Sequence, residues 1–177
     1  MIRSGDILVY RKSGGIIPSV LTWLIRRCDS EYNQWCKDNK FEIWHMEPVM
    51  HVSPDVVVTM CAGAGGSHLV SLDNDYLKEN CKAFRWFDKK PDADMIGSFI
   101  FLFSDKPYDT GSYFGTALAL LWEKITGKSW RIVDEEYHCQ ELTAAFCRFM
   151  NKPILPNNVY PLMTKMIKQL KDREVKI

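Results

Sequence analysis

Tyr137-His138-Cys139-Gln140-Glu141-Leu142 places a cysteine at the head of an amphipathic helix. Leu142, Ala145, Phe146 and Phe149 recur at helical spacing, and Cys139, three residues before Leu142, shares their stripe and points toward whatever the helix packs on. At a helix start the unpaired N–H groups and the positive end of the dipole favour thiolate over thiol, which lowers a cysteine pKa below its free value of about 8.5. The chemistry open to such a thiolate is attack on a carbonyl carbon. The competing account is packing, since free cysteine is among the most buried residue types.

A cysteine nucleophile needs a general base, most often a histidine that the fold rather than the sequence brings close. His45 lies inside the strand-like run Phe41-Glu42-Ile43-Trp44-His45-Met46, where a period of two puts Phe41, Ile43 and Glu47 on its face. His51 and His68 adjoin turn residues. His138 precedes Cys139 directly, and neighbours on a helix diverge by about 100°, which turns it away from the thiol. On strand position alone, a hydrogen-bonded core histidine explains His45 better than a catalytic base does.

The elements that must position these groups are legible in outline. Gly5 to Tyr10 reads as a strand, and a helix is expected over about 18–27, with Ile17, Val20, Leu21 and Leu24 as its apolar stripe and Arg26 and Arg27 in the last turn. The polar segment from Asp29 to Lys40 reads as a loop with at most one helical turn. Strands are expected at 41–46, 55–62, 68–72 and 82–87, with a polar turn or short helix over 73–80. After Pro91 the pattern becomes helical: 95–103, 115–126, the Cys139 helix, and a basic tail helix over 162–171 beyond Pro153, Pro156 and Pro161. Strands first and helices afterwards argue for an α+β class, an antiparallel, barrel-like sheet packed against helices.

Length and charge narrow the partners. A chain of 177 residues is the size of one domain, so residues 1–177 are read as a single domain with 154–177 as a C-terminal helical extension. Basic and acidic residues balance at 23 and 22, which gives no general attraction to nucleic acid. No apolar run approaches the roughly 20 residues of a membrane span, and the N-terminus carries no signal-peptide core, so a cytoplasmic location is expected. Six cysteines without a C-x-x-C pair indicate neither a metal site nor a cofactor, and reduced thiols are expected. The oligomeric state is not readable.

The order of these pieces carries more than any one of them. Gly5-Asp6-Ile7-Leu8, then a helix, Trp44-His45-Met46, a strand leading into a glycine turn, Pro107-Tyr108-Asp109, and Cys139-Gln140-Glu141-Leu142 together resemble the circularly permuted papain-like cysteine hydrolases of the NlpC type, over roughly residues 4–153. The resemblance implies Cys139 as nucleophile and His45 as the base that takes the thiol proton and returns it to the leaving group. The family's third polar residue, carried on the strand after the histidine strand, has no counterpart among Val56, Val58, Thr59, Met60 and Cys61. Glu47 is its substitute, with Thr59 and His51 as alternatives, while Tyr108 and Asp109 read as a structural turn. The implied activity is cleavage of an amide in a small peptide of the peptidoglycan kind. Acyl transfer or ester and thioester hydrolysis on lipids is the alternative, because the lecithin retinol acyltransferase group shares the permuted order, and a catalytically inactive binding module is a third.

Overall fold

The computed structural model describes residues 1–11, 16–63, 65–108, 112–128, 137–157 and 159–177. Gly14, Gly15, Asp109 and Trp130 lie outside them.

Gly5 turns the chain into its first strand with a φ of +91°, and a Cβ there would sit 2.5 Å from Pro91 Cδ, so the turn has no room for a side chain. Asp6 follows, almost fully buried, and receives Arg85 Nε and a terminal Arg85 nitrogen on its two oxygens, each at 3.1 Å. Strand β1 (Ile7–Arg11) runs between β2 (Ile43–Val52) and β5 (Cys81–Phe84). Strands β3 (Val56–Gly63) and β4 (Gly66–Asp73) continue from β2, and β6 (Glu174–Val175) pairs with β5. All six pair antiparallel in the order β4-β3-β2-β1-β5-β6. The architecture is α+β, but the sheet is open where the sequence suggests a barrel: the two-residue β6 ends it instead of returning to β4.

Among the described residues seven helices accompany the sheet: α1 (Ile16–Cys28), α2 (Ser30–Asn39), α3 (Asn74–Asn80), α4 (Ala93–Phe103), α5 (Ser112–Thr126), α6 (Cys139–Phe149) and α7 (Met163–Leu170). None of them is long and apolar enough to cross a membrane, among the described residues. Helix α2 replaces the loop expected over 29–40. Its composition hides the reason: Asp29 caps it by accepting the Tyr32 N–H at 3.0 Å, and Tyr32 and Cys36, one turn apart, bury a narrow stripe under an otherwise polar surface. Residues 154–177 carry α7 and β6, and Leu162, Met166, Ile167 and Leu170 enter the main core.

Two apolar clusters take alternate residues of the strands. Ile7 and Val9 join Met46, Met60, Phe99, Leu142, Phe146 and Met166 in the larger one, whereas Leu8 and Tyr10 join Val49, Val57, Leu77 and Ala83 in the smaller. A bulge breaks the alternation of β2 at Trp44, because Tyr10 faces His45 while Arg11 faces Ile43. Ile43 therefore goes to the larger core and does not share the face of His45, as an unbroken period of two would have it.

Helix α6 packs across β2 and β3. Phe146 fixes it, with its ring edge-on to Phe99 at 5.1 Å and to Phe87 at 5.8 Å. The chain just before α6 is tied to the sheet through β4: Ser67 N–H bonds Lys106 O at 2.9 Å, Asp105 N–H bonds Ser67 O at 2.7 Å, and Tyr137 N–H bonds Pro107 O at 3.0 Å. Gly66 makes that approach possible, with φ +86° and a virtual Cβ 2.8 Å from Lys106 O. Gly66→Ala is expected to cost about 2 kcal/mol from backbone strain and the carbonyl clash. Thermal unfolding should register this as a midpoint roughly 4–8 °C lower; an unchanged midpoint would show that the 103–107 segment is not held at Gly66.

Candidate active site

Register decides which polar groups meet on the sheet. Tyr10 is opposite His45, and Thr59 is opposite Val49, so both are diagonal neighbours of Glu47 on one face. Glu47 is 3% exposed, and its carboxylate is saturated with donors. Oε2 accepts the Tyr10 hydroxyl and, at 2.5 Å, the Thr59 hydroxyl, while Oε1 lies 2.8 Å from His45 Nε2. Burial alone would raise the Glu47 pKa; the His45 bond and charge, with Thr59 and Tyr10, hold it down at about 2. An ionised carboxylate only accepts, so the proton of this contact sits on Nε2, and Nδ1 is the ring atom left to exchange a proton with a thiol.

That thiol is Cys139, first residue of α6 and 5% exposed. Burial pushes it up, but the His45 imidazolium, assisted by hydrogen bonding from His138 and His45, brings it down to about 5. The partner moves the other way. Burial works against the charge on His45, yet the Cys139 thiolate, hydrogen bonds to Cys139 and Cys61, and Glu47 raise its pKa well above the ordinary histidine value. The pair thus favours thiolate and imidazolium over thiol and imidazole. Burial raises Cys36 and Cys61, raises Cys81 to about 12 with the help of Glu47, and raises Cys147. All six cysteines are free.

The head of α6 is built more firmly than its sequence indicates. His138 is not a helical neighbour of Cys139 but the N-cap, with extended backbone at φ −92° and ψ 171°. Its Nδ1 accepts the N–H of Gln140 at 3.1 Å and of Glu141 at 3.3 Å, and Glu141 returns a bond to the His138 N–H. The cap also sets the His138 ring beside the thiol, where it adds to the lowering led by His45. His138 Nε2 lies 2.8 Å from Tyr160 Oη. Gln140 Oε1 accepts the Met163 N–H at 3.0 Å, which joins the starts of α6 and α7, and the Thr143 hydroxyl lies 2.8 Å from the Cys139 carbonyl and 3.4 Å from that of Met46. With Gln140 and Glu141 N–H groups engaged in the cap, the Cys139 N–H is the first-turn donor outside it.

Of the residues singled out by sequence, Cys139, His45 and Glu47 are brought together, and Thr59 joins them as a donor to Glu47. His51 and His68 are exposed on β2 and β4, and His68 turns its Nδ1 to Gly66 O at 3.0 Å. Tyr10, Cys61 and Tyr160 are additions that sequence reasoning missed. Tyr10 and Cys61 were findable only through the pairing of β1 with β2 and of β2 with β3. Cys61 Sγ lies 3.6 Å from His45 Nε2, and His45, Glu47 and Cys61 present three donor atoms within 4.8 Å of one another, a spacing that suits a metal ion. The chain matches no known family model and no curated protein, so the assignment of a function rests on this geometry.

Two measurements follow. Iodoacetamide at about pH 6.5 is expected to alkylate Cys139 ahead of the other thiols, and His45→Ala should slow this by returning the Cys139 pKa toward about 8.5; equal labelling of all thiols, or no effect of His45→Ala, contradicts the pairing. Glu47 has a folded-state pKa of about 2 against 4.5 ordinarily, so its contribution to stability is present above about pH 4.5 and disappears as pH falls toward 2. The size of that contribution is on the order of 3 kcal/mol. Urea midpoints measured from pH 6 down to 3 should drop more steeply in the wild type than in Glu47→Gln.

Proposed function

We propose that the chain is a thiol hydrolase of the permuted papain-like, NlpC-type arrangement, with Cys139 as nucleophile, His45 as general acid and base, and Glu47 as the carboxylate that orients His45. The observation that carries this reading is the line of three groups from a thiol with a pKa of about 5, through a histidine with a raised pKa, to a fully hydrogen-bonded buried carboxylate. A structural cysteine gains nothing from that arrangement, and Cys147, on the same helix, has its pKa raised by burial.

The steps follow from the proton positions. Cys139 Sγ bonds to the carbonyl carbon, and the developing oxyanion is met by the Cys139 N–H. As the C–N bond breaks, His45 passes its Nδ1 proton to the leaving nitrogen, and the amine departs. Water then attacks the thioester and gives a proton to Nδ1; the acid is released and the thiolate with its imidazolium is restored. Glu47 stays ionised throughout and keeps Nε2 protonated. The substrate we assign is an amide in a small peptide of cell-wall type.

A second reading, acyl transfer or hydrolysis on lipid esters, uses the same steps with an oxygen or sulfur leaving group. It is favoured by one observation: α1 and α5 pack on each other while leaving Trp23 and Val20 of one and Leu118, Trp122 and Ile125 of the other exposed, an apolar surface suited to lipid.

Mass spectrometry after incubation with muropeptides and, separately, with phospholipid or fatty-acyl esters distinguishes them. Muropeptide cleavage is expected, absent in Cys139→Ala and reduced on the order of a hundredfold or more in His45→Ala. Its rate should rise with pH through the thiol pKa of about 5 and fall again where His45 loses its proton. Turnover of lipid esters alone would replace the first reading by the second, and silence on both with an unreactive Cys139 would leave a binding module.

A further inference from the structure

Cys61 has no part in the proposed hydrolysis, yet its sulfur reaches the same ring nitrogen that Glu47 holds. We propose that His45 Nε2, Glu47 Oε1 and Cys61 Sγ form a latent site for a thiophilic divalent cation of the zinc class, and that occupation of this site stops the chemistry at Cys139. The second half rests on the thiol-hydrolase reading; the first does not.

The spacing favours it. Zinc bonds of about 2.3 Å to sulfur and about 2.0–2.2 Å to nitrogen and oxygen, at tetrahedral angles, put donor atoms about 3.4–3.6 Å apart. Sγ and Nε2 are already 3.6 Å apart, and Nε2 and Oε1, at 2.8 Å, must part by about 0.6 Å as their shared proton leaves. The donor set of one imidazole, one thiolate and one carboxylate oxygen selects zinc, cobalt or similar ions over magnesium and calcium, which prefer oxygen alone. Outer contacts that such sites require are in place, since Tyr10 and Thr59 fix the other carboxylate oxygen. Neither His45 nor Cys61 is fully buried. Three protein donors leave the fourth position for water.

Binding exchanges a dication for two protons, one from Nε2 and one from the Cys61 thiol. The ring then keeps a single proton on Nδ1. Donating it to a leaving nitrogen would create a metal-bound imidazolate, so the general-acid step is blocked while Cys139 itself is untouched. Glu47 is also withdrawn from its orienting role.

The test is a cobalt titration of the full chain prepared free of metal. One equivalent should produce the ligand-field absorption of tetrahedral cobalt together with a thiolate-to-cobalt charge-transfer band, and zinc should abolish both. The charge-transfer band should vanish in Cys61→Ala, checked for an unchanged thermal midpoint, and persist in Cys139→Ala. Removing a donor should cost at least the 10–100-fold in affinity, approximately, that outer contacts alone are worth. No tetrahedral spectrum in the wild type, or a band that survives Cys61→Ala and disappears in Cys139→Ala, overturns the site. Zinc should also slow muropeptide hydrolysis in proportion to site occupancy, with recovery on chelation, and this sensitivity should be lost in Cys61→Ala relative to its own rate without metal. Hydrolysis unaffected at full occupancy overturns the switch. If no hydrolysis is found at all, the switch falls with that reading, while the cobalt spectrum still decides the site.

Discussion

A carboxylate buried in a sheet must be compensated, and the compensation of Glu47 organises everything around it. Taking an ionised carboxylate out of water costs several kcal/mol unless hydrogen bonds and an opposite charge replace the lost hydration. Glu47 obtains them from three strands: Tyr10 on β1, Thr59 on β3 and, from its own β2, the His45 ring. A slip of one residue between β1 and β2 would carry Tyr10 to the other face, and the same slip between β2 and β3 would remove Thr59. Strand register and imidazole orientation are therefore fixed by one interaction. The thiolate depends on it in turn, since only a ring held with its proton on Nε2 turns Nδ1 to Cys139.

The helix must supply the other half with comparable precision, and it does so through contacts that have no charge of their own. The His138 cap fixes the first turn of α6, Tyr160 fixes the cap, Gln140 couples that turn to α7, and Thr143 lies between the Cys139 and Met46 carbonyls. Phe146, stacked edge-on between Phe87 and Phe99, sets how deep the helix sits. A histidine is an unusual cap, and here it has a consequence: it sets a second imidazole beside Cys139, where it adds to the lowering of the thiol pKa that His45 leads.

How much of this a sequence can display depends on the range of the interaction. Cys139 at a helix start and the α6 stripe are local patterns, as are β3, β4 and α4, and the structure has those elements where the patterns put them. His45 and Glu47 are legible as neighbours on one strand face, because a period of two needs no knowledge of the partner strands. The bulge at Trp44, by contrast, arises from pairing with β1, and nothing in residues 41–46 announces it. Helix α2 escapes because two buried residues and a cap outweigh seven polar positions, which inverts what composition suggests. Strand β6 is too short to carry a pattern, so the sheet's open edge could not be read either. Tyr10, Thr59 and Cys61 act across strands, and the third position is legible in Glu47 only as a residue type waiting for donors.

The charges assembled at this site do not cancel. The Cys139 thiolate and the Glu47 carboxylate flank one imidazolium, which leaves one net negative charge in a confined space on a chain whose overall charge is +1. Global balance thus says nothing about the local field. That field stabilises His45 in its charged form from both sides, which is why its pKa rises despite burial, and it draws cations rather than anions to the Nε2 face. At that face the same carboxylate that sustains the ion pair is a metal donor, and Cys61 supplies a sulfur at 3.6 Å. A neutral Cys61 is compatible with the ion pair because burial and the Glu47 charge keep its proton on. Replacing two protons with a dication leaves the net charge of the site unchanged but takes away the ring's freedom to cycle a proton, so the electrostatics that activate Cys139 also create its point of inhibition.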